Sequence, residues 1–291
     1  MPFVDALLTG LTLGGMYALV ALGLNLQYGV ARIMNLSYGE MMIAASVLAW
    51  ALFGRHGLSP LVTLVIALPL AAIAGWAIYA LALMPLVRRA PNRDALEADS
   101  LLGTFGLLFV IQGVMLVAVG GGYLSYSFLS VPVAVLGTTL AANRLLALAM
   151  AAVLGLAIWL LLTRTRVGTA IRAVSVDPVS AQLVGIDTRR LAAAAFALGT
   201  VMAAVAGVLV SMFLTFSATM GVVFTMKALI VVIMGGIGNM AGAAAAALML
   251  GLVESFVGTF VDPGLTLAAN YALFLIVLLF FPAGLFGKVT R

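Results

Sequence analysis

Apolar runs of 18 residues or more recur along the chain, broken by short clusters of Arg, Asp, Asn, Gly and Pro. Runs of this length are what a helix needs to cross a bilayer. The pattern predicts spans at about 5–28, 36–54, 60–86, 100–119, 143–162, 190–215, 222–237, 241–260 and 266–283. The two short spans on either side of Gly235–Gly242 read equally as two thin crossings or as a re-entrant hairpin. The fold class is therefore all-α: a polytopic inner-membrane helical bundle of about 8–9 transmembrane segments, with room for broken or re-entrant helices, forming one transmembrane domain over 1–291.

The longest polar interruption is the 164–190 loop, with Arg164, Arg166, Arg172, Arg189 and Arg190. Inside it the spacing predicts a punctuated helix of about two turns. Asp177 suits the N-cap, and Pro178 falls at the first helical position, where its missing N–H costs nothing. Gly185 suits the left-handed position after the helix, and Asp187 can cap the next span. Val179 and Leu183 share one face at i, i+4 spacing. The pattern fits either an incidental loop helix or a docking helix offered to a partner.

Composition narrows the class. Of 291 residues, 65% are hydrophobic and 8% charged, against about a quarter charged in soluble domains. The net charge of +5 reflects loop topology and implies no nucleic-acid partner. Arg32; Arg88, Arg89 and Arg93; the five loop arginines; and Lys288 with Arg291 fall on one side, whereas only Arg55 and Arg144 fall on the other. This imbalance puts the 164–190 loop and the C-terminus in the cytoplasm and, with nine crossings, the N-terminus outside. The first apolar stretch lacks a basic leader and continues for a full span, unlike a cleavable signal. There is no cysteine and one histidine, His56, so neither a metal site nor a cofactor is expected. Gly284–Lys288 has the wrong spacing for a phosphate-binding loop, and no catalytic constellation stands out, so the chain reads as a non-enzyme.

Few polar residues remain inside the spans. Gly10, Gly14 and Ala18 form a small-residue row suited to close helix packing. Ser37 and Glu40 have capping-box spacing. Glu40 therefore reads either as a helix cap or as an intramembrane carboxylate on a solute route together with Asn35 and Ser37. Gly238 and Gly242 form a GxxxG pair, and Asn239 suits the cap of the following helix. Two polar helix starts, one with Asn35, Ser37 and Glu40 and the other with Gly238 and Asn239, are a weak pointer to one translocation path. Lys227 and Glu254 flank the Gly238–Asn239 turn at similar distances and are expected to form an intramembrane ion pair, with a structural role ahead of a solute-binding one.

Three stretches carry a resemblance: GLTLGGMYALVALGLNLQYGVARIMNLSYGE, RAVSVDPVSAQLVGIDTRRLAAAAFALGTVMAAVAGVL and KALIVVIMGGIGNMAGAAAAALMLGLVES. Together they resemble permease subunits of bacterial ABC importers for branched-chain amino acids, in order and over nearly the whole chain. The first looks more like the shorter of the two permease types. The resemblance implies an inner-membrane subunit paired with a homologous second permease, two cytoplasmic ATPase subunits and a periplasmic solute-binding protein. It makes 178–184 the coupling helix, with Asp177, Pro178, Val179, Ala181, Leu183 and Gly185 as ATPase-coupling residues. The loop departs from the general importer signature, which has Glu-Ala-Ala ahead of its glycine; only Ala181 and Gly185 keep the small-residue pair. Related permeases carry urea, short amides or aromatic acids, so the solute stays open. The competing readings are an ion-coupled secondary transporter using Glu40, Glu254 and Lys227, and a channel-like facilitator.

Overall fold

The computed structural model describes residues 2–135 and 138–287, with Arg93 and Asp94 as backbone only. Lys288 and Arg291, counted above for orientation, lie outside the described residues, as does the Arg93 side chain. The helices are α1 Pro2–Ala31, α2 Tyr38–His56, α3 Pro60–Ala77, α4 Met84–Arg89, α5 Arg93–Val119, α6 Ala142–Arg164, α7 Arg166–Val176, α8 Pro178–Leu183, α9 Thr188–Ser211, α10 Gly221–Gly235, α11 Met240–Phe260 and α12 Thr266–Phe280. A widened π turn, Ile78–Leu83, joins α3 to α4. It sits just before Pro85, which has no N–H to give the regular ladder.

Among the described residues seven helices are long and apolar enough to cross a membrane: Pro2–Ala31, Pro60–Arg89, Ala95–Val119, Ala142–Arg164, Thr188–Ser211, Met240–Phe260 and Pro263–Phe280. The expected spans at 36–54 and 222–237 become α2 and the 15-residue α10. One strand pair interrupts the helices: β1 Pro132–Val135 runs antiparallel to β2 Thr138–Ala141, with Pro132 opposite Ala141 and Val135 opposite Thr138. The segment lies between the expected spans 100–119 and 143–162, and its β-branched Val and Thr residues favour the pleated conformation.

Burial sorts the helices into two shells. Within their spanning windows α9 is 78% and α1 67% buried, whereas α5 and α6 are each 17% and the final span 11%. The outer helices expose Leu102, Val117, Val153, Leu275 and Leu279, the apolar surface a bilayer covers. The central α1 carries glycine on three faces. Gly10 and Gly14 abut Leu252 and Leu248 of α11, Gly15 faces Ala151 of α6, and Gly23 meets Tyr38 and Gly199. In lipid no hydrophobic force drives helices together, so such close approach supplies the packing energy.

Two helices begin inside this bundle. The hydroxyl of Tyr38, the first residue of α2, donates to the Gly199 carbonyl at 2.8 Å. At ~1.5 Å per residue, Gly199 lies roughly 16 Å along α9, about half of the ~30 Å hydrocarbon thickness. A Cβ on Gly39 would lie 2.0 Å from the Gly221 carbonyl, so α10 begins at the same depth. The 212–220 segment therefore enters as coil and pairs with the loop after α5 through Leu124 and Phe216. The helix α10 completes the descent. Over 222–260, α10 is therefore a short helix that begins within the bundle, whereas α11 is long and apolar enough for a full crossing.

A Cβ on Gly251 of α11 would stand 2.2 Å from the Gly14 backbone nitrogen. Gly251→Val should therefore force α1 and α11 apart and destabilise the protein by about 1–3 kcal/mol or more. Gly155→Ala, where nothing lies within 4 Å, should be neutral. Thermal unfolding in detergent distinguishes the two, and equal midpoints would contradict the packing described.

Candidate functional site

The polar loop between α6 and α9 folds into two short helices. Thr165 caps α7 through a hydrogen bond from the Gly168 amide, 3.1 Å. Ile171 and Val174 turn inward, and the Ser175 carbonyl accepts from Arg32 Nη2 at 2.7 Å. That bond ties the loop to the end of α1. Asp177 then accepts from the amides of Val179 (2.9 Å) and Ser180 (3.2 Å), with Pro178 opening α8. Gly185 follows at φ +83°, a conformation that glycine adopts without strain. Asp187 caps α9 by accepting from Arg189 and Arg190, both 3.1 Å. Ala181 is buried, whereas Val179 is 65% and Leu183 83% exposed. One face anchors α8 and an apolar face is presented outward. The additional helix α7 was missed by the sequence reading, although its alternation of arginine with Ile171 and Val174 carries the signal.

Asn35, Ser37 and Glu40 stand at the buried start of α2. Asn35 Oδ1 accepts from the Ser37 amide (3.1 Å) and hydroxyl (2.7 Å). Asn35 Nδ2 donates to Gln27 Oε1 at 3.1 Å, and Gln27 in turn donates to the Phe196 carbonyl at 3.2 Å. The Gly39 amide donates to Thr225 Oγ1 at 2.8 Å. The expected capping box is not formed. Ser37 makes no side-chain cap because its hydroxyl is committed to Asn35. The Glu40 carboxylate instead lies against Gly221 at the start of α10, and it is fully buried.

Gly238 and Asn239 occupy a different region. Asn239 caps α11 by accepting from the Gly242 amide at 3.0 Å, and the Gly238 amide donates to Asn25 Oδ1 at 2.8 Å. The GxxxG pair does not act as one packing face. Gly238, at φ +81°, is a turn residue with open space around it, whereas a Cβ on Gly242 would lie 2.0 Å from the Gly235 carbonyl. Both Gly238 and Asn239 line a cavity of about 790 Å³ with Asn25, Arg32 and Arg172. Asn35, Ser37 and Glu40 do not reach this cavity, so the five residues grouped as one route lie in two places.

Lys227 Nζ lies 2.7 and 2.8 Å from the two oxygens of Glu254. It also donates to the Tyr17 hydroxyl at 2.7 Å. Tyr17 donates to Glu254 at 3.0 Å, and Asn270 Nδ2 does so at 2.8 Å. Tyr17 and Asn270 were invisible to sequence reasoning, because they lie 210 residues before Lys227 and 16 after Glu254.

The family described as "Branched-chain amino acid transport system / permease component" matches residues 6–282. The chain belongs to this family of permeases. Among its relatives, the high-affinity branched-chain amino acid transport system permease protein LivH of Escherichia coli (strain K12) is 28% identical, over 98% of this chain and 96% of LivH. The corresponding permease protein BraD of Pseudomonas aeruginosa is also 28% identical, over 98% and 96% of the respective chains. In structure the chain resembles PsaBC from Streptococcus pneumoniae in complex with Fab, with TM-score 0.51, 15% identity and coverage of 96% and 91%. That likeness is one of fold.

In this multi-pass permease the Lys227–Glu254 cluster pins α10 to α1, α11 and α12. The two charged side chains are only 11% and 14% exposed. Removing one partner of a buried pair leaves an uncompensated charge and costs ~3–5 kcal/mol. Lys227→Met or Glu254→Gln alone should cut the yield of folded protein sharply, and the double change should restore most of it. Independent, additive losses in detergent melting experiments would mean that the pair is not coupled.

Proposed function

We propose that this permease is the membrane-spanning subunit of an ATP-driven importer for branched-chain or related amino acids. Residues 1–291 act as one transmembrane domain that pairs with a homologous second permease and receives solute from a periplasmic binding protein. Two cytoplasmic ATPase subunits supply the energy, and this chain performs no hydrolysis. The protein resides in the bacterial inner membrane with the 164–190 loop inside. The observation that carries this reading is α8: doubly capped, anchored by Ala181, and presenting Val179 and Leu183 to a partner groove. Motion imposed on α8 reaches the bundle through α7 and the Arg32–Ser175 hydrogen bond. The ion-coupled alternative needs charges free to exchange an ion. Of the three residues that alternative would use, Lys227 and Glu254 are held by each other and by Tyr17 and Asn270, which favours a structural role for both and leaves it Glu40 alone.

Val179→Asp or Leu183→Asp places a charge in an apolar docking groove. Each variant should insert normally, lose the ATPase subunits on purification and lose uptake by ten-fold or more, on the scale of ~1.4 kcal/mol per decade. Wild-type uptake with both changes would rule out the docking assignment.

Orientation is open to cysteine labelling, since the chain has no cysteine background. A probe at exposed Thr169 should be shielded from impermeant reagent in intact cells, and one at exposed Ser125 should react. Labelling of Thr169 without permeabilisation would invert the topology.

A further inference from the structure

The junction of α2 and α10 satisfies its polar groups with one exception. Neither oxygen of Glu40 has a hydrogen-bond partner of normal geometry, although Asn35, Ser37, Gly39 and Thr225 around it are all bonded. Among the described residues no Lys or Arg forms an ion pair with Glu40; Lys227, six residues further along α10 than Gly221, is held by Glu254. A carboxylate at mid-depth without a partner is expensive, and such residues mark solute routes.

The surroundings define what would complete the site. A Cβ on Gly221 would fall 2.3 Å from the Glu40 carboxyl carbon, so the carboxylate rests directly on the start of α10. That helix has 15 residues and no side-chain N-cap, so its first amides have no side-chain acceptor in the cap position. A helix start of this kind accepts anions. Next to it, Ile43, Phe216, Met220 and Phe224 form an apolar cluster. The chain thus brings together a carboxylate lacking a cation, a helix end that binds carboxylates, and an apolar wall. These complement, group for group, the ammonium, carboxylate and aliphatic side chain of a zwitterionic amino acid.

We propose that Glu40 is a solute-recognition residue of the translocation path, receiving the ammonium group of an amino acid whose carboxylate takes over the first amides of α10. In this structure Glu40 occupies the helix end itself, and an arriving zwitterion displaces it while neutralising it. The inference rests on the amino-acid importer reading and narrows it. The cargo carries a cationic amine, which excludes urea, simple amides and amine-free acids as principal solutes.

The test uses the complete importer in proteoliposomes, with leucine-loaded binding protein outside and ATP inside. Leucine uptake and ATP hydrolysis are measured for the wild type, Glu40→Gln and Glu40→Asp. Glu40→Gln should assemble and hydrolyse ATP in response to loaded binding protein, yet move leucine about ten-fold more slowly or worse, because a charge-assisted contact is lost. Glu40→Asp should keep uptake with a raised KM. Glu40→Gln with wild-type leucine uptake overturns this inference and leaves the importer reading standing. A wild-type importer that moves urea but not leucine overturns both. If Glu40→Gln fails to assemble, Glu40→Asp decides: unchanged KM, or loss of assembly in step with uptake, makes Glu40 purely structural and overturns the proposal.

Discussion

Inside a bilayer no water is available to satisfy a helix end, yet α2 and α10 both begin part-way through the bundle. The rest of the structure follows from how those two ends are completed. The start of α2 is bonded sideways: Asn35 to Gln27 on α1, Tyr38 to Gly199 on α9, and Gly39 to Thr225 on α10. Thr225 also donates to the Leu36 carbonyl at 3.2 Å. Each bond replaces a water that the membrane interior does not supply. Because the bonds reach three different helices, the junction also sets how those helices sit relative to one another. The glycines at 23, 39, 199 and 221 are needed for the same reason: any side chain there would collide with the groups that complete the ends.

Around this junction the bundle separates a buried centre from an exposed outer shell. The helices α1 and α9 are central and closely packed through small residues, and the Lys227–Glu254 cluster fixes α10 from its other side. The outer helices expose apolar side chains and are held by fewer specific contacts. A permease must change shape without dissolving its core. The solute role proposed for Glu40 suits that demand, because an arriving solute would complete the interaction that its buried carboxylate lacks.

At the basic face a second chain of contacts runs outward. The exposed apolar edge of α8 has no partner within this subunit, and α7 behind it is bonded through Ser175 to Arg32. Arg32 takes the left-handed backbone conformation, φ +56°, where α1 ends and the chain turns back toward the α2 start. A push on α8 therefore has a short covalent route, the seven residues from Arg32 to Tyr38, to the buried junction. The proposed docking helix and the proposed solute site are separate in sequence and joined by this segment.

Much of this was legible in the chain. Runs of apolar residues predicted the crossings, because a lipid environment demands them wherever they stand. The caps of α8, α9 and α11 were readable from Asp177, Asp187 and Asn239, because a cap is a contact between residues two or three apart. Local rules failed where a distant group competed. Ser37 and Glu40 have capping-box spacing, but Asn35 claims the serine and Gly221 receives the glutamate. Gly238 and Gly242 have packing spacing, yet one serves a turn and the other a close helix contact. The depth of α2 and α10, the recruitment of Tyr17 and Asn270 to the ion pair, and the separation of Glu40 from the Gly238–Asn239 cavity were decided by tertiary structure alone. Each depends on which helices become neighbours, and hydrophobic periodicity in a chain that is apolar on nearly every face carries little information about that choice.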